Sequence, residues 1–201
     1  MEVNDLYKTV EQPAEGIFRD KGSKFIAYIY PFAGEAEIKP ILQRLKAEHP
    51  KARHHCWAYR LGMDTGNYRI NDDGEPAGTA GRPILNSILS AELTNVFVVV
   101  VRYFGGTLLG VPGLINAYKS ATIDVIANSK IVEKTENTVF SVRCDFLQLN
   151  QVMRIIKETA LVVKSQSFDL ECSFLLEVRK ATADILLAKL SQVEQIEIDR
   201  V

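Results

Sequence analysis

Residues 71–85, NDDGEPAGTAGRPIL, and residues 98–121, VVVVRYFGGTLLGVPGLINAYKSA, are two glycine-rich loops that each lead from a strand into a helix. Each loop follows residues typical of a strand and reaches a proline or glycine where a helix is expected to begin. Such turns direct backbone N–H groups to the positive end of the helix dipole, where anions bind. The loops therefore predict a site facing a phosphate or carboxylate, without identifying the ligand.

The segments around these loops predict a two-layer α/β sandwich over residues 1–134. Strands are indicated near residues 25–29, 54–61, 67–70 and 96–101, because their apolar residues alternate or form short β-branched runs. Apolar residues at helical spacing indicate helices after residue 38, after Pro83 and around residues 114–126. We expect the helices to lie on one face of a mixed sheet.

The last third of the chain, residues 135–201, predicts a second domain. Strands are indicated at residues 140–146, 161–165, 170–178 and 196–198, and helices at residues 149–156 and 183–190. The order β-α-β-β-α-β is that of the ferredoxin-like split βαβ fold. The whole chain is thus predicted to be α+β, with domains at 1–134 and 135–201.

Composition excludes several classes of protein. No apolar run approaches the roughly 20 residues that span a bilayer, and MEVNDLYKTV lacks the apolar centre of a signal peptide. The three cysteines are too few and too scattered for a disulfide framework, which favours a cytoplasmic location. A net charge of −1 argues against a generally basic surface but allows a local basic face.

The sequence His54-His55-Cys56 suggests a metal or a nucleophile, and neither interpretation is well supported. On a strand only His54 and Cys56 share a side, and two ligands do not complete a zinc site. We therefore expect no metal and no cofactor, with Cys56 a half-buried structural residue.

Asp72, Asp73 and Glu75 form an acidic cluster beside glycine and proline. Carboxylates in this arrangement can bind Mg²⁺ or act as acid and base. The alternative is a solvated turn, because Asn-Asp-Asp-Gly is good turn chemistry.

Arg102-Tyr103-Phe104 leaves the most apolar strand and enters the second glycine loop. Arginine can pair with phosphate and an aromatic ring can stack on a base; alternatively, Arg102 pairs with Asp72 or Asp73 and the rings close the core. We expect both loops to open at one edge of the sheet in a shared cleft, with Gly78 and Gly106 on the same side and Arg82 and Arg102 at its border. The candidate residues for binding nucleic acid or another anion are Lys24, Arg53, His54, His55, Arg60, Arg69, Arg82, Arg102, Tyr103, Gly78, Thr79, Gly81, Gly105, Gly106 and Gly110.

Three long segments in the same order resemble the YigZ/IMPACT family: RHHCWAYRLG at residues 53–62, and the two glycine-rich stretches quoted above. The resemblance covers essentially the whole chain. It implies a first domain like a small-subunit ribosomal protein and domain IV of elongation factor G, and a ferredoxin-like second domain. Eukaryotic IMPACT relatives are linked to translational control through protein partners, but their extra N-terminal partner-binding domain has no counterpart here.

The favoured hypothesis is a non-enzymatic protein that binds RNA or the ribosome and regulates translation. One alternative is a hydrolase or phosphotransferase that uses the cleft between the glycine loops, with the acidic cluster and His54 as reacting groups. The other is a regulator that contacts only proteins, such as a partner in translation.

Overall fold

The computed structural model describes residues 5–64, 66–159 and 161–201. These form two compact units, one of Tyr7–Lys134 and one that joins Asp5 and Leu6 to Thr135–Val201. None of the described helices is long and apolar enough to cross a membrane.

The larger unit is built on a five-stranded sheet with three helices. Its elements are β1 (Leu6–Val10), β2 (Ala14–Asp20), β3 (Ser23–Pro31), α1 (Ile38–Glu48), β4 (His54–Arg60), β5 (Tyr68–Asn71), α2 (Gly81–Ser90), β6 (Val96–Tyr103), α3 (Gly110–Asn128) and β7 (Ile131–Thr135). The sheet order is β2-β3-β6-β4-β5, and β1 pairs with β7 in a separate two-stranded sheet. The most apolar strand, β6, therefore lies at the centre.

Both faces of the central strand are buried. Val96, Val98 and Val100 belong to a core that includes α2 and α3, whereas Phe97 and Val99 belong to a second core beneath α1. This division explains why β6 reads as a continuous apolar run, since a strand covered on both sides needs apolar residues in both orientations.

Two details of the predicted sandwich were wrong. All strand pairs of the five-stranded sheet in the described residues are antiparallel, not mixed. Helix α1 packs on the face opposite α2 and α3, with Leu45 fully buried there. A doubly buried strand is typical of mixed and parallel sheets, but helices on both faces produce the same pattern in an antiparallel sheet.

Gly105 has a packing role at the end of β6. A Cβ atom at this position would lie 1.9 Å from the backbone carbon of Gly22, in the turn between β2 and β3. Its N–H also donates to Ser23 Oγ at 3.1 Å. The glycine therefore allows the second loop to lie against the β2–β3 turn.

The smaller unit confirms the predicted ferredoxin-like fold. Its elements are β8 (Asn137–Cys144), α4 (Leu149–Glu158), β9 (Val162–Phe168), β10 (Cys172–Arg179), α5 (Ala183–Leu190) and β11 (Ile196–Arg200), and the strand order is β11-β8-β10-β9. Phe146 and Leu170 were predicted to be strand residues but lie in exposed turns, because an alternating pattern does not mark where pairing stops.

Candidate functional site

Strand alternation separates the two candidate residues at the end of β6. Arg102 faces the α2–α3 side, where its guanidinium lies 5.5 Å from the centre of the Phe25 ring. Tyr103 faces the α1 side and its hydroxyl lies 2.8 Å from His49 Nδ1. Adjacent residues of a strand point to opposite faces, so these two cannot serve one surface as predicted.

Arg102 is part of a buried ion pair. Its Nη1 donates to Glu75 Oε1 at 2.6 Å, and the two side chains are 7% and 3% exposed. Tyr118 in α3 donates its hydroxyl to the same carboxylate oxygen at 2.8 Å. Arg102 therefore joins the first loop to the core, which corrects both its predicted phosphate role and its predicted pairing with Asp72 or Asp73.

Cys56 lies beside this pair as a structural thiol. Its Sγ is 2.9 Å from the Asp72 carbonyl oxygen and 3.3 Å from the Tyr118 hydroxyl. Burial raises the pKa of the thiol well above its ordinary value. A raised pKa disfavours the thiolate, which is the reactive form of cysteine, so the burial of Cys56 agrees with the predicted structural role.

The anion position at the start of α2 is filled by a side chain of the same loop. Asp72 Oδ1 accepts from the N–H groups of Ala80 and Gly81 at 3.0 and 2.8 Å, and Oδ2 accepts from Gly78 N–H at 2.8 Å. The predicted attraction of the helix N-terminus for negative charge is thus satisfied internally. Thr79 is also used within the loop, where its hydroxyl donates to the Pro76 carbonyl at 2.7 Å.

Asp73 and the two histidines tie the first loop to β4. Asp73 Oδ2 accepts from the backbone N–H of His55 at 2.7 Å, and the Asp73 carbonyl lies 2.9 Å from His54 Nδ1. Burial lowers the pKa of His55. No three His, Cys, Asp or Glu side chains within residues 5–64, 66–159 and 161–201 are grouped to hold a metal ion. Asp72, Asp73 and Glu75 each have internal partners, so they do not converge on one open position as acid–base or Mg²⁺ chemistry would require.

The other candidates are spread over the larger unit. Arg60 lies at the far end of β4, opposite Val96, and donates to the Leu93 carbonyl at 3.1 Å. Arg69 lies 3.5 Å from Glu35. Arg82 is exposed at the start of α2, and Gly106 and Gly110 take positive φ values of 88° and 70° in the second loop. β5 and β6 both run antiparallel to β4, so both glycine loops leave the same end of the sheet.

The groove at this end of the sheet contains fewer of the candidate residues than the shared cleft that we predicted. A groove between α2 and α3 is lined by Gly78 and Arg82, but its lining includes neither Gly106 nor Arg102. Arg102 is covered by the first loop, and Gly105 packs against the β2–β3 turn. The two loops therefore leave the same end of the sheet, and of the two only the first loop lines this groove.

Lys24, Tyr103 and Arg53 do come together on the α1 side of this edge. Lys24 pairs with Tyr103 across the sheet, and Arg19 on β2 pairs with Lys24. Arg53 directly precedes His54, which pairs with Arg102, so strand alternation predicts Arg53 on the Tyr103 side of the sheet. We call Arg19, Lys24, Tyr103 and Arg53 the basic row.

The basic row has a strongly positive character. Its three cations form no ion pair with the described residues. Arg19 and Lys24 also line a concavity of about 440 Å³ at the β2–β3 turn, with Lys21 adding a third cation and Asp20 one carboxylate. The arrangement can bind an extended polyanion, because several cations lie in line with an aromatic ring between them.

Sequence reasoning missed two contributors to this surface, Arg19 and His49. Arg19 gave no signal of its own, since only the β2–β3 register places it beside Lys24. His49 directly follows α1, and its two ring nitrogens lie 2.8 Å from the hydroxyls of Tyr28 and Tyr103. Burial raises the pKa of Tyr28 to about 12, so that hydroxyl stays protonated. His49 thus holds Tyr103 at the edge of the basic row.

Comparison with known proteins agrees with this fold. The Impact N-terminal domain matches residues 21–126, more than half of the chain. An IMPACT family member of Haemophilus influenzae is 35% identical over 174 residues, covering 86% of this chain and 84% of that protein. The family member YigZ of Escherichia coli is 36% identical over 138 residues, 68% of each chain. This chain belongs to the IMPACT family.

The whole fold also has a solved counterpart. A crystal structure described as that of a hypothetical protein superposes with a TM-score of 0.76 at 27% identity, covering 99% of this chain and 98% of that one. The likeness spans both the Impact domain and the ferredoxin-like unit.

Proposed function

We propose that this chain is a non-enzymatic protein that binds RNA or the ribosome and regulates translation, and that the basic row is its RNA contact. The basic row carries the proposal, because three cations that form no ion pair with the described residues flank Tyr103 where the strands of the sheet end. The chain belongs to the IMPACT family, and the resemblance to that family implies a link to translation through its eukaryotic members.

The chemistry of the first loop supports a binding role over a catalytic one. A hydrolase or phosphotransferase needs a base and an electrophile-stabilising group that converge on a substrate position. Here Asp72 caps α2 and Glu75 neutralises Arg102 in the core. The cations of the basic row, in contrast, are available to form ion pairs with phosphate groups.

Salt-dependent RNA binding tests this proposal. Fluorescence anisotropy with a labelled single-stranded RNA, together with cosedimentation with ribosomes, should detect binding at about 50 mM salt that weakens steeply as salt rises. Replacing Lys24 or Arg53 with alanine should reduce the slope of log affinity against log salt by about 0.7 per lost phosphate contact on single-stranded RNA. Tyr103→Ala should cost about 1–3 kcal/mol of binding free energy if a base stacks on the ring.

The matched control is Arg154→Ala on α4. Arg154 is 78% exposed, and Glu158 in its own helix is its one ion-pair partner among the described residues, so its loss should leave the affinity and the salt slope unchanged. Absence of RNA and ribosome binding at low salt, or an equal loss in Arg154→Ala, would refute the role of the basic row.

A further inference from the structure

Helix α3 exposes an apolar stripe that its own fold does not use. Val111, Ile115 and Ile123 are 52%, 38% and 50% exposed. They recur at i, i+4 and i+12 with Lys119 at i+8, so they lie on one side of the helix. The adjoining side of the helix already supplies the core, where Leu114, Tyr118, Ala121 and Val125 are buried.

Ile115, Lys119 and Ile123 of this stripe lie along one wall of a groove whose other wall is α2. The groove has a volume of about 610 Å³, and Pro83, Ile115, Ile123 and Ile126 give it an apolar lining. Contiguous exposed apolar surface beside polar rims marks an interaction site in soluble proteins. An α-helix fits between two helices by inserting side chains at i, i+3, i+4 and i+7 into such a groove.

The positive charges that line the groove favour a negatively charged occupant. Arg82 and Lys119 are its charged lining residues, and no carboxylate lines it among the described residues. Neither cation forms an ion pair with the described part of the chain; Arg82 lies over the Tyr68 ring at 5.9 Å. The nearby carboxylate of Asp124 is directed elsewhere, to the backbone N–H of Ile17 at 2.8 Å.

We propose that the α2–α3 groove binds an acidic amphipathic helix of a partner protein. The apolar side chains of that helix would cover the stripe on α3, and its carboxylates would pair with Arg82 and Lys119. A nucleic acid fits this groove less well, because no aromatic ring for base stacking occurs among its described lining residues. The site is separate from the basic row, so the protein can hold a protein partner and RNA on different surfaces.

Two synthetic peptides test the proposal. The first is a labelled amphipathic helix of about 15 residues, with leucine at i, i+3, i+4 and i+7 and glutamate on its flanks. The second carries lysine in place of every glutamate. Fluorescence anisotropy should show binding of the acidic peptide only, and amide chemical shifts should change at Arg82, Asn86, Lys119 and Ile123.

Variants of the whole chain identify the groove. The double variant R82E/K119E should bind the lysine peptide in preference to the acidic peptide, because the rim charges are reversed. Ile123→Asp should weaken binding of the acidic peptide about ten-fold or more, since the buried isoleucine contact is lost. Ile131→Asp is the matched control and should bind as the wild type does, because Ile131 is similarly exposed on β7, outside the groove lining.

The circular dichroism of every variant is compared with that of the wild type, and Lys119→Ala replaces the double variant if that one fails to fold. Equal binding of the two peptides, no binding of the acidic peptide, or shifts confined to other surfaces would each overturn the proposal. Self-association in analytical ultracentrifugation that Ile123→Asp abolishes would overturn it too, since a second copy of the chain would then be the occupant. Displacement of the peptide by a short RNA would equally assign the groove to nucleic acid.

Discussion

At the residue scale, Glu75 connects the first glycine loop to the core, because it neutralises Arg102 there. Replacing Glu75 with glutamine leaves the buried guanidinium without a counter-charge, and breaking a buried pair in this way costs about 3–5 kcal/mol. Urea unfolding should therefore show a large loss of stability. The double variant Glu75→Gln/Arg102→Met should recover part of it, since no buried charge then remains unpaired.

The control for Glu75 is an exposed pair in the same unit. Glu92→Gln removes the partner of Lys8, whose pair lies at the surface, and the unfolding midpoint should stay close to that of the wild type. A similar loss in both single variants would mean that burial of the Arg102–Glu75 pair is not what makes it important.

A second residue-scale prediction concerns the pH dependence of stability. Burial lowers the pKa of His55 below its ordinary value of 6.5, and Lys46 and His49 act in the same direction while Asp73 opposes them. Below pH 6.5, His55 binds a proton more readily in the unfolded chain than in the folded chain. The stabilisation is therefore complete above pH 6.5 and is lost as the pH falls from 6.5 through the pKa of the folded state.

Urea unfolding at about pH 7.5 and pH 5.5 measures this effect across the titration range of histidine. His55→Gln should reduce the difference between the two free energies of unfolding. His54→Gln, at the neighbouring and less buried position, is the control and should retain the difference. An unchanged difference in His55→Gln would contradict the prediction.

At the scale of elements, the side chain of Asp72 caps the N-terminus of α2. Its carboxylate accepts three backbone N–H groups at the start of the helix, so Asp72→Ala should lower the free energy of unfolding by about 1–2 kcal/mol. The vacated amides should then bind an inorganic anion, so added phosphate should raise the melting temperature of the variant more than that of the wild type.

Asp64→Ala provides the comparison for this cap. Asp64 also accepts a backbone N–H, from Gly66, but in a loop rather than at a helix N-terminus. Its replacement should create no response to phosphate. If phosphate stabilises both variants equally, the anion acts on the whole protein and not at the start of α2.

At the scale of the whole molecule, the smaller unit depends on a residue from the other end of the chain. Asp5 is buried and accepts from Arg179 Nε and Nη2, at 2.9 and 2.7 Å to Oδ1, and from Ala181 N–H at 2.8 Å. Asp5→Asn should therefore speed amide exchange after β10, over the 3-10 turn Lys180–Thr182 and α5, while β6 stays protected.

Hydrogen exchange with mass spectrometry resolves the two units in one experiment. Glu11→Gln, which removes an exposed partner of Lys130, is the control and should leave exchange in α5 unchanged. Faster exchange in β6 as well as α5 would show that the units do not open independently. The boundary between residues 134 and 135, predicted from the β-α-β-β-α-β pattern that follows it, leads us to expect independent opening.

Local patterns in the sequence determined the secondary structure of the last third and the position of both glycine-rich connections. The alternation of apolar residues in the last third predicted the ferredoxin-like unit. Each strand there has one buried face, so apolar and polar residues alternate along its sequence. Glycine and proline positions likewise predicted both strand–loop–helix connections, since backbone conformation at a turn is set by the residues of the turn itself. The same motifs identified the IMPACT family.

Only the tertiary structure decided which candidate residues share a surface. Arg102 and Tyr103 are neighbours in sequence, yet one lies in the core with Glu75 and the other lies beside Lys24. Asp72 was predicted either to take part in acid–base or Mg²⁺ chemistry or to lie in a solvated turn, and in the structure it accepts hydrogen bonds at the start of α2. These outcomes depend on strand register and on which helix covers which face, and both arise from contacts between residues far apart in the chain. The sequence can therefore name the residues of a site, but the packing of the sheet determines which of them remain available to a ligand.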